Sequence, residues 1–242
     1  MSRIKTRIFW IKLGLISGFS AAFFFLVGTT VAMLLYPDYS FFTQFISELG
    51  VRQDILLQGE WLYKALYPEA LNITLILTGI AFLPLFPSLY FFFNPQELWR
   101  KILVILMAIG GIVGGVFLSL VGVFDAGLFL KQHVIVALGA YFSITLIFLL
   151  WGLVVVTLEK ESIYKKSLLW IVDPIICLLG IFVGIVNTGL FDLIYNVGGI
   201  ESLAFYQKSL AYIFVILFTY VGIRMILLLT KYPEKFKTTV KN

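Results

Sequence analysis

Charge, histidine and cysteine are all scarce in this sequence. Only 13% of its 242 residues are charged, about half of the roughly 25% carried by soluble domains. With 61% hydrophobic residues and a mean hydropathy of +1.02, the chain is not a water-soluble domain. The single cysteine, Cys177, excludes an internal disulfide and any cysteine metal cluster within one chain. The single histidine, His133, excludes a bis-histidine haem or a multi-histidine metal site. No metal and no cofactor are expected. Enzyme signatures are missing too: H-E-x-x-H, G-x-S-x-G, an aspartate-rich pair and a P-loop do not occur. Ser47, His133 and Asp125 can be written down as a triad, but no motif supports them. No span carries a central row of charges of the kind found in proton pumps and voltage sensors.

Long apolar runs are abundant. A helix needs about 20 apolar residues to cross a bilayer, and six such runs can be placed, at 11–36, 70–93, 101–124, 132–157, 167–194 and 209–230. They leave no room for a separate soluble domain. The expectation is an all-α integral membrane protein, a six-helix bundle forming one polytopic domain over 1–242. The basic N-terminal flank resembles that of a signal peptide, but the apolar run after it is too long, so a retained first span is expected.

Basic residues alternate between the connections. Fourteen of the 18 lysines and arginines fall in the N-terminal flank, around 94–101, in 158–166, and in Arg224 and the C-terminal tail. The remaining four, Arg52, Lys64, Lys131 and Lys208, fall on the other side with Asp38, Glu48, Asp54, Glu60, Glu69, Asp125, Asp192 and Glu201. The positive-inside rule places both termini in the cytoplasm, with the cell membrane as the expected site. Attraction to anionic lipid accounts for the basic side, and no nucleic acid is needed to explain the net charge of +5.

Small residues recur every four positions in the odd-numbered spans: Gly14 and Gly18; Gly110 with Gly114 and Gly111 with Gly115; Gly180 and Gly184. Such rows let backbones approach closely, so the first, third and fifth spans are expected to form the inner packing set, with a glycine-lined pore as the alternative. In the second span Pro84 and Pro87 predict a kink. Asp173 before Pro174 reads as a helix cap. A weak repeat relates 122–142 to 189–214, aligning Asp125 with Asp192 and His133 roughly with Gln207.

One connection stands out. "YPDYSFFTQFISELG", residues 36–50, predicts a short external amphipathic helix over 41–49 between the first two spans. Ser40 would cap it and Gly50 would stop it. Phe41, Phe42, Phe45, Ile46 and Leu49 would face membrane, and Thr43, Gln44, Ser47 and Glu48 would face water. Tyr36, Tyr39, Phe41, Phe42, Phe45 and Trp61 are the candidate lipid- or partner-binding residues, the partners being membrane lipids, a membrane subunit or a second copy of the chain. Glu48, His133, Asp125 and Asp192 are weak candidates for chemistry. They read either as separate anchors and caps, or as one polar site in which Asp125 orients His133.

The same segment carries a family resemblance. Tyr36, Pro37, Tyr39, Ser40, the run Ile46–Gly50, Asn72, Gly122, Phe124 and His133 match a pattern resembling DUF998, a family of hypothetical membrane proteins. Asp38 stands where that pattern has glycine, and Asp125 where proline is common. A more distant likeness is to damage-regulated autophagy modulator-type membrane proteins. The resemblance implies six spans and no particular reaction. Two functions follow as expectations: a non-enzymatic lipid-interacting or accessory protein, or an enzyme or small-solute or proton transporter acting through the outer polar residues.

Overall fold

The computed structural model describes residues 3–57, 60–158, 175, 178–179, 182 and 191–231. Where no water reaches the backbone, its polar groups must bond within their own segment, and helices result. They are α1 (Arg3–Leu34), α2 (Pro68–Phe82), α3 (Leu85–Phe93), α4 (Leu98–Val123), α5 (Leu130–Leu158) and α6 (Phe191–Lys231). α2 and α3 together make one span. Among the described residues five stretches are therefore long and apolar enough to cross a membrane, and the chain is a multi-pass membrane protein. The expected fifth span lies mostly outside the described residues, as do Asp173, Cys177, Gly180 and Gly184.

Two expectations change. Residues 195–208, expected as a loop, are helical, so α6 runs unbroken and carries Gln207 and Lys208 on the same helix as the last span. The chain is also not wholly helical. Ile55–Leu57 and Glu60–Leu62 pair as an antiparallel hairpin with Leu56 opposite Trp61. That stretch has no 3.6-residue face, and its branched and aromatic residues suit extended backbone.

α4 shows why the bundle suits lipid. Ile102, Ile105, Ile109, Val113 and Val116 are exposed on one side, while Val104, Met107, Gly111 and Gly115 are buried on the other. Bulky apolar groups outside and small residues inside are the distribution expected when close packing replaces the hydrophobic drive.

The glycines of α1 and α4 make their tightest approaches to the second span. A Cβ on Gly111 would enter the Phe86 ring, and one on Gly14 would strike Ser88. Gly115 faces the backbone of Gly79, where a Cβ would lie 3.0 Å from the carbonyl oxygen. Gly114 is tight only against Ser143 on α5, at 3.0 Å, while Gly18 and Gly110 meet ordinary contacts at 3.5 and 3.8 Å. The second span is thus the hub between α1 and α4, because its own small residues reciprocate. Its helix breaks at Leu83–Pro84, as the prolines predict. Beside the break, the Ser17 hydroxyl of α1 donates to the Ala81 carbonyl.

Candidate functional site

The segment 36–50 does not form the helix expected over 41–49. Turns occupy 41–43, and a 3₁₀ helix spans Ile46–Gly50. Ser40 is not its cap; its N–H donates to Gln44 Oε1 at 2.7 Å. Glu48 fixes the 3₁₀ turn instead. Its Oε1 accepts the N–H of Phe45 at 2.7 Å, the backward half of a capping box. Helical projection places Glu48 on a water-facing side, yet it is only 6% exposed. A tight three-residue turn rotates it inward.

Residues far away in sequence hold the segment down. Gln207 Oε1 accepts the N–H of Ile46 at 2.9 Å. Asn72 Nδ2 donates to the Gly50 carbonyl at 3.0 Å, and a side chain on Gly50 would run into the Asn72 amide. Lys208, fully buried, donates from Nζ to the Tyr39 hydroxyl at 3.3 Å, to the Ser40 carbonyl at 3.4 Å and to the Gln44 carbonyl. Its ammonium sits 5.0 Å from the Tyr39 ring centre and 4.9 Å from that of Phe41, where ring quadrupoles attract a cation. The Glu48 carboxylate lies near enough to Lys208 to interact with it electrostatically.

The candidate binding aromatics are therefore largely engaged within the molecule. Phe42 stacks on Phe205 at 5.7 Å and Phe41 lies against Tyr212 at 6.2 Å. Tyr36 meets Tyr39 edge-on. Burial first, and then the Glu48 carboxylate, push the Tyr36 and Tyr39 phenols above their ordinary values, so both remain protonated. Phe42 still shows 67% of its surface and Phe41 38%. Phe45 is half-buried. The Trp61 side chain lies outside what is described.

Asp38 takes φ = 54°, a left-handed backbone conformation that favours glycine. Aspartate is among the residues that tolerate this left-handed region, yet it bears a steric cost of about 1–2 kcal/mol there. Asp38→Gly removes that cost and adds unfolded-state entropy. A net stabilisation of about 0.5–1 kcal/mol is expected, read as a small rise in melting temperature in detergent.

Beneath the docked segment lies an apolar cavity of ≈ 100 Å³. Phe25, Leu75, Phe82, Phe214 and Phe218 contribute to its walls, and Ser47, His133, Gln207, Tyr141 and Thr78 are the polar residues among its lining. His133 and Gln207, roughly aligned in the weak repeat, both line this cavity.

Asp125 does not orient the His133 ring, as the second of the two readings would have it. His133 Nδ1 bonds the Phe124 carbonyl at 2.7 Å, so in the neutral ring Nδ1 carries the proton and Nε2 accepts. Asp125 Oδ1 accepts from the N–H groups of Gly127 and Leu128, each at 3.0 Å. Its Oδ2 lies 3.5 Å from Arg52 Nη1. Asp125 thus fixes the turn before α5 and ties down Arg52, and a Ser47–His133–Asp125 relay does not exist. Asp192 sits in the first turn of α6, with its side chain outside what is described. No group of three or more potential metal ligands occurs among the described residues. Sequence reasoning passed over Gln207, Lys208 and Arg52. A lone lysine at the edge of an apolar run was the available signal for Lys208.

A family model described as "Protein of unknown function (DUF998)" matches residues 19–224. Comparison with curated proteins and with solved structures gives no match.

Proposed function

This chain belongs to the DUF998 family, whose function is unknown, and we propose that it is a non-enzymatic lipid-interacting or accessory membrane protein. The observation that carries this reading is the apolar cavity beneath a buried polar clamp. The arrangement suits holding an apolar molecule better than transforming one. We take the chain to have six spans, with both termini cytoplasmic and segment 36–69 outside the cell membrane. There Phe42, Leu56, Tyr63 and Tyr67 remain exposed to meet headgroups, a membrane subunit or a second copy. Native mass spectrometry of protein purified in mild detergent is expected to find lipid bound in near-stoichiometric amount. A delipidated, monomeric protein that fully complements a deletion would contradict the reading.

His133 and Ser47 at one cavity favour a second reading, in which the same site acts on a lipid headgroup or passes a small solute. Purified protein incubated with radiolabelled membrane lipids is expected to return them unchanged. Conversion that His133→Ala abolishes, with folding intact, would establish an enzyme instead.

A further inference from the structure

Thr78 differs from its counterparts in the described spans. Thr29, Thr30, Thr74, Thr145, Thr219 and Thr230 each donate to the carbonyl four residues earlier. This is the usual way a hydroxyl is satisfied inside a helix. Thr78 Oγ1 is fully buried with no hydrogen-bond partner among the described residues, and Thr78 lines the cavity. Ten residues into α2, at 1.5 Å per residue, it lies about 15 Å from the start of that helix. That is close to the middle of a hydrocarbon core about 30 Å thick. A donor without a partner at that depth is costly, so a ligand oxygen facing it would gain a hydrogen bond that no water competes for.

We propose that this cavity takes the neutral, oxygen-bearing end of a lipid, with Thr78 donating to that oxygen. The inference rests on the lipid-interacting reading above and names the ligand class. Size fits. A dry cavity of about 150 Å³ holds a benzene molecule, so ≈ 100 Å³ admits a small head or a few carbons, with the remaining chain in the bilayer. Charge fits as well. Apart from His133, no ionisable side chain except the Tyr141 phenol lines the cavity among the described residues. With no lysine, arginine, aspartate or glutamate among the lining residues, an ionised head would be desolvated there without a counter-charge.

The test is photolabelling of the full chain in nanodiscs by a hexadecanol analogue with a diazirine near its hydroxyl. Adducts are expected on α2, α5 and α6 peptides that line the cavity. Unlabelled hexadecanol should compete about tenfold better than palmitate or hexadecyltrimethylammonium. Thr78→Val should weaken labelling about tenfold, the scale of one buried hydrogen bond. Thr78→Ser, which keeps the hydroxyl, should restore it. Ala137→Phe, which fills the cavity, should abolish labelling, with melting temperature as the folding control. Unchanged labelling in Thr78→Val or Ala137→Phe, or equal competition by a charged analogue, would overturn the proposal. Adducts confined to outward-facing side chains such as Ile109 would also overturn it, while leaving the broader lipid-interacting reading standing.

Discussion

Gly79→Leu is expected to abolish recovery of folded protein, and Gly79→Ala to lower stability by about 1–3 kcal/mol, the usual range for overpacking. A Cβ at Gly79 would reach the Gly115 carbonyl oxygen and lie 2.6 Å from the Ser119 backbone nitrogen. Backbone cannot swing aside as a flexible side chain can, so α2 and α4 would have to separate. That separation would also disturb Ser119 Oγ, which donates to the Ile76 carbonyl at 3.2 Å. Gly110→Ala is the control. Its added Cβ finds only ordinary contacts with Leu146 and Ile147, and alanine favours a helix, so its effect should stay within about 0.5 kcal/mol. Fluorescence-detected size exclusion after a temperature ramp reads both. Equal damage from the two alanine variants would show that the α2–α4 approach is not the tight one.

Lys208→Met is expected to lower stability by about 1–3 kcal/mol, the scale for leaving buried polar groups without their hydrogen-bond partner. Methionine keeps most of the apolar stem but removes the ammonium. The Ser40 and Gln44 carbonyls lose their donor, and the Glu48 carboxylate loses the nearby positive charge. Glu48→Gln should be milder, because an amide oxygen can still accept the Phe45 N–H. Combined, the two substitutions should cost less than their separate effects added, since the double variant leaves no buried charge unpaired. Strict additivity in thermal melts would mean that Glu48 and Lys208 do not act together.

Much of the bundle is legible in the sequence, because span length and hydropathy follow from the bilayer. The expected runs 70–93, 101–124 and 132–157 differ from the observed helical stretches Pro68–Phe93, Leu98–Val123 and Leu130–Leu158 by a few residues at most. The proline break at Leu83–Pro84 follows from a missing N–H. What fails is decided by partners remote in sequence. Projecting 36–50 onto a helix puts Glu48 outside, but Gln207, 161 residues on from Ile46, holds that backbone in a 3₁₀ turn. The same holds for Asp125. Neighbourhood in sequence pairs it with His133, whereas Arg52 reaches it from 73 residues away. Gly79 escaped notice because it lacks a partner glycine four residues off, and its partner backbone lies on α4.

Cysteine accessibility tests most directly whether segment 36–50 is docked inward over the cavity. In a Cys177→Ala background, Ser47→Cys and Lys64→Cys are treated with a membrane-impermeant maleimide on intact cells. Lys64 is exposed and Ser47 lines the cavity. Rapid labelling is expected at residue 64 and protection at residue 47, with protection lost when Lys208→Met is added. Rapid labelling at residue 47 in the otherwise native chain would place the segment as an interfacial helix with its polar face in water, and would contradict the account.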